Sequence, residues 1–90
     1  MSLTDAEQLR AARSMLGLTQ SELAEQSGVS LPTIKRLELG QGLLPVRLAT
    51  LLKLQRALET GGVEFIAGGN GGGPGLRLRT RAGRTPPAGT

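Results

Sequence analysis

The chain has 90 residues, room for one small domain and too few for a multidomain enzyme. It contains no cysteine or histidine, which removes disulfides, thiolate zinc sites, cysteine nucleophiles and the commonest general base. Phe65 is the sole aromatic, so the rings of a base-stacking platform for single-stranded nucleic acid are missing and the core must be aliphatic. The formal charge is +4. Through Ile66 the bases Arg10, Arg13, Lys35, Arg36, Arg47, Lys53 and Arg56 are matched one for one by Asp5, Glu7, Glu22, Glu25, Glu38, Glu59 and Glu64. The whole excess therefore comes from Arg77, Arg79, Arg81 and Arg84, in a stretch without acids that favours polyanions or serves solubility. No apolar run is long enough to span a membrane, and the N-terminus lacks a signal-peptide layout, so a cytoplasmic protein with no membrane partner is expected.

Composition changes at Gly61: Leu, Ala, Glu, Gln and Arg dominate before it, whereas ten of the 14 glycines and three of the five prolines lie from Gly61 onward. A first helix is expected after Thr4, capped by its side chain with Glu7 closing a capping box, and ending at Gly17. Thr19 and Glu22 repeat the box for a second helix, about Gln20 to Ser27, closed by Gly28. Ser30 caps a third helix that tolerates Pro32 in its first turn and runs to about Leu39. Leu48, Leu51, Leu52, Leu54 and Leu58 span about 160° of a helical wheel, which predicts a core-facing fourth helix over roughly 46–60. Gly62 to Ile66 and Leu76 to Thr80 read as strands joined by the glycine-rich stretch 68–75, hence a β-hairpin, and disorder is expected from Arg81. That gives residues 1–60 as a helical domain, 61–80 as a hairpin and 81–90 as a basic tail.

The stretch from Gln20 to Leu39 places small and apolar residues where two helices crossing steeply through a short turn need them. Ala24 is small at the close approach, Gly28 supplies the turn, and Leu23, Val29, Ile34 and Leu37 form the seam beneath. With Leu16-Gly17-Leu18-Thr19-Gln20 ahead of it, this stretch resembles the helix-turn-helix of the phage-repressor (Cro-like, XRE) family, over about residues 4–60. The resemblance implies a mainly α fold, a compact repressor-like DNA-binding domain of four helices, or of five as in many members, here followed by the hairpin. It also implies a third helix lying in the major groove of double-stranded DNA, with the start of the second helix on the backbone.

Carried onto this sequence, the resemblance makes Gln20 a phosphate contact, aided by the helix N-terminal amides. With Ile34 pointing inward, Pro32, Lys35, Arg36 and Leu39 point outward, and Leu31 and Thr33 flank them behind the Ser30 cap. Arg36 is the best base reader because its fork bonds guanine O6 and N7 together. Lys35 suits phosphate or a base, Thr33 a phosphate, and Leu31 a thymine methyl. Many relatives carry polar residues where this chain has Leu31 and Pro32, which shifts part of the readout toward apolar contact and DNA shape. Arg13 and Glu38 resemble the family's ion pair between the first and third helices, a structural role.

The leading expectation is a sequence-specific transcriptional regulator, a repressor that binds a palindromic operator as a homodimer and needs no cofactor or metal. The hairpin either mediates the dimer or covers the leucine core within one subunit. Two readings stand beside this one: an antitoxin that also binds a partner toxin, and an interaction module without DNA binding. Enzymatic activity is not expected. The acids sit at helix starts, exposed or paired positions, and the run from Gly69 to Gly75 is not followed by the Lys-Ser/Thr and helix of a phosphate loop.

Overall fold

The computed structural model describes residues 3–66 and 75–79. Four helices are followed by a hairpin: α1 (Ala6–Met15), α2 (Gln20–Ser27), α3 (Leu31–Leu39), α4 (Leu48–Gly61), β1 (Val63–Ile66) and β2 (Gly75–Leu78). Of the glycine-rich turn expected over 68–75, residues 68–74 lie outside the described residues, as does the tail expected from Arg81.

Helix α1 starts one residue later than the sequence reading placed it. Asp5, not Thr4, is the cap: its carboxylate accepts from Gln8 N at 2.8 Å, and the Gln8 side chain accepts in return from Asp5 N at 3.2 Å and Thr4 N at 2.7 Å. Two overlapping boxes, Thr4 with Glu7 and Asp5 with Gln8, compete here, and tertiary contacts decide between them. Glu7 is claimed elsewhere, its carboxylate accepting from Gly42 N at 3.1 Å. The α3–α4 loop is thereby tied to the N-terminal segment, where Ala6 N donates to Gly42 O at 2.8 Å and Leu44 N to Thr4 O at 3.0 Å.

Helices α2 and α3 begin at the expected caps. Thr19 and Glu22 form a reciprocal box, and Ser30 accepts from Thr33 N with Pro32 in the first turn. Between them Gly28 takes a left-handed backbone, φ 76°, and its N–H donates to Ala24 O at 3.0 Å. Helix α4 begins later than expected because Arg47 stays extended as its N-cap and Val46 packs on the core before the helix starts.

The core gathers Leu9 and Ala12 of α1, Leu23 of α2, Ile34 and Leu37 of α3, and Leu54, Ala57 and Leu58 of α4, with Val29 from the turn. Two leucines assigned to the α4 core stripe lie outside it: Leu48 is 69% exposed and Leu52 37%. Leu51 between them packs against the core, so the wheel's stripe is wider than the surface available to cover it. Helices α1 and α2 pack on α3, α4 packs on α2, β1 lies against α4 and β2 against α1. The strands are antiparallel in the register Val63 with Leu78, Glu64 with Arg77, Phe65 with Leu76 and Ile66 with Gly75. Val63 and Phe65 point into the core and Leu76 packs against it.

The turn glycine gives a direct test. Gly28→Ala places a Cβ on a left-handed backbone and is expected to cost about 1–2 kcal/mol. Gly40→Ala, at negative φ and with only an ordinary contact to Leu37 O at 3.6 Å, is expected to stay within about 0.5 kcal/mol of the parent. Thermal melts of the two variants check the difference.

Candidate nucleic-acid interface

Helix α3 is half buried by design of its sequence. Ile34 and Leu37 are in the core, while Pro32, Lys35, Arg36 and Leu39 are exposed and Leu31 and Thr33 are half-buried beside them. Its start is fixed twice, since the Ser30 hydroxyl accepts from Thr33 N at 3.3 Å and donates to the Thr33 hydroxyl at 2.8 Å. Lys35 and Arg36 make no hydrogen bond or ion pair with any described residue.

Beneath this exposed face sits Glu38, 7% exposed and the convergence point of three helices. Arg13 of α1 donates to it as a fork, Nε to Oε2 at 2.8 Å and Nη2 to Oε1 at 2.9 Å. A further donation from Arg13 Nη1 reaches Leu18 O at 2.8 Å, in the connection between α1 and α2. From α2, Gln20 Nε2 donates to Glu38 Oε1 at 3.0 Å. A carboxylate only accepts, so the Gln20 amide must turn its nitrogen toward Glu38. Hydrogen bonding to Glu38 raises the Arg13 guanidinium above its ordinary value, against the opposing effect of burial. Arg10 completes the tie by donating to Glu38 O at 2.6 Å, in the last turn of α3, and to the O of its C-cap Gly40 at 3.0 Å, where a cation also complements the helix dipole.

On the other flank of α3 a shallow groove of about 330 Å³ is lined by Thr33 and Arg36 together with Pro45, Val46, Arg47 and Thr50. Two arginines and two hydroxyl groups thus meet where α3 faces the start of α4. A helix-turn-helix family model matches residues 9–65, which includes most of α1, all of α2, α3 and α4, and nearly all of β1. The chain belongs to this helix-turn-helix family. No curated protein matches it. Membership makes it a sequence-specific DNA-binding transcriptional regulator.

In this helix-turn-helix, the residues named from the sequence divide into two groups. Arg13 and Glu38 meet, as described, and Gln20 joins them; one of its amide hydrogens is spent on Glu38, leaving the second and the uncapped first amides of α2 for an anion. Ser30, Leu31, Pro32, Thr33, Lys35 and Arg36 lie along the first two turns of α3 or at its cap. Sequence reasoning passed over Arg10, Arg47 and Thr50. Arg47 was legible as a lone base after Pro45, but its approach to Arg36 depends on the loop path. The hairpin arginines have internal partners: Arg77 pairs with Glu64, and Arg79 Nη2 donates to Glu59 O at 3.0 Å at the end of α4. Among the described residues no cluster of acids forms a metal site, and no helix is long and apolar enough to cross a membrane.

Removing Glu38 strands three donors at a buried position, whereas Arg36 has no partner among the described residues to lose. Glu38→Ala is therefore expected to destabilise by roughly 2–4 kcal/mol and Arg36→Ala by less than about 0.5 kcal/mol. Equal melting temperatures for the two variants would contradict the tie.

Proposed function

We infer that the protein is a repressor that occupies a palindromic operator as a homodimer, reading the major groove with α3. The observation that carries this reading is an α3, tied down through Glu38, that presents Lys35 and Arg36 without a partner among the described residues, beside a groove carrying Arg47. Arg36 bonds guanine O6 and N7 as a fork, Lys35 takes a neighbouring base or phosphate, and Leu31 and Pro32 cover thymine methyls. Thr33 and Ser30 sit at the helix start, close to the backbone. Gln20 and the first amides of α2 take phosphate on one side of α3, and Arg47 with Thr50 takes it on the other. Repression requires only that this occupancy block the promoter.

Selection of binding sites from a random duplex pool at near-physiological salt tests the reading. The expected product is an inverted repeat with half-sites about one helical turn apart. Arg36→Ala is expected to lose preference at one guanine position, a penalty of about 1–3 kcal/mol at that base pair. Arg47→Ala should instead weaken binding to all sequences alike and flatten the dependence on salt by about one unit of slope. Enrichment of no sequence, with only weak salt-sensitive binding, would overturn the regulator reading.

A further inference from the structure

Between the end of α3 and the second turn of α4 the chain leaves an unusual amount of leucine uncovered. Leu39 is 85% exposed, Leu43 80%, Leu48 69% and Leu52 37%. Leu48 and Leu52 are one turn apart on α4 and share a face. Leu43 sits in the loop that bridges to Asp5, and Leu39 ends the same α3 ridge that carries Arg36. These exposures leave on the order of 500 Å² of apolar surface per copy, well over half of the ~800 Å² per partner that a stable interface buries. The outward hairpin residues Ile66, at 37%, and Leu78, at 53%, offer much less.

We propose that a second copy of this chain docks on the Leu39, Leu43, Leu48 and Leu52 surface, which makes it the contact across the two-fold axis of the operator-bound dimer. The proposal rests on the repressor reading above and deepens it. Its occupant follows from position. The surface is continuous with the DNA-binding side: Arg47 lies in the groove with Arg36, and Leu48 is the next residue. An unrelated protein seated there would stand against the DNA backbone. A second copy instead brings a second α3 to the same side of the molecule, and two-fold symmetry sets the leucine surface against itself, apolar on apolar. The hairpin then serves its own subunit, its inward side being filled by Val63 and Phe65.

Sedimentation equilibrium of the full chain over a range of concentrations decides the matter. The double variant L43Q/L48Q keeps the charge unchanged and alters exposed positions, and is expected to raise the dimer dissociation constant at least tenfold. The hairpin variant I66Q/L78Q is expected to leave it unchanged. Should L43Q/L48Q melt early, L39Q supplies the same mass comparison at the most exposed leucine. A leucine variant that dimerises like the parent, or a parent that is monomeric throughout, overturns the proposal; the second result would leave a different protein as the occupant. A single half-site duplex keeps the two readings apart. The leucine variant should bind it as the parent does and lose only its advantage on the inverted repeat. Failure of both proteins to bind any selected duplex would count against the regulator reading, while the mass comparison alone judges the surface.

Discussion

The Glu38 carboxylate is the fixed point of the domain. A buried carboxylate without partners is costly, and here Arg13 and Gln20 supply three charge-assisted or amide donors from two other helices. Around 60 residues bury only a small apolar core, so directional bonds weigh heavily in holding four short helices in one arrangement. The directional bonds at Glu38 set the angles that the leucines then fill. Arg10 adds a grip on the α3 carbonyls, so that both the side chain and the backbone of the same turn are held from α1.

This internal satisfaction has an electrostatic counterpart on the outside. Through Ile66 the chain is formally neutral, and many of its charges answer one another: Arg13 with Glu38, Glu7 with Arg10 and Gly42, Glu64 with Arg77. Among the described residues Lys35, Arg36 and Arg47 are not drawn into such pairs, and two of these three line the groove between α3 and α4. A formally neutral segment can therefore still leave unneutralised charge beside its recognition helix, which a net count along the sequence conceals.

Local signals made most of the fold legible. The Thr19 and Glu22 box, the Ser30 cap and the Gly28 turn are each decided by neighbours within a few residues, and α2 and α3 fall where those signals put them. The start of α1 was ambiguous because Thr4 and Asp5 both head a capping box, and the choice turns on Glu7 bonding Gly42 N, 35 residues away. The leucines of α4 misled for a related reason. Periodicity reports which residues share a face, but Leu48 and Leu52 share one that the bundle does not reach. At the interface, the outward residues of α3 followed from the direction of Ile34. The arrangement of Gln20, Arg10 and Arg47 depended on long-range geometry that no spacing rule contains.

Because the groups that hold α3 and the groups it displays share no atoms, its two faces are free to change independently. Pro32, Lys35, Arg36 and Leu39 can be exchanged with little disturbance to Ile34, Leu37 or Glu38, whose contacts lie on the opposite side of the same helix. A duplicated copy of this gene would thus be able to acquire a new target through a few substitutions without first losing its fold. The same separation makes α3 a natural cassette for grafting foreign recognition residues onto an intact scaffold.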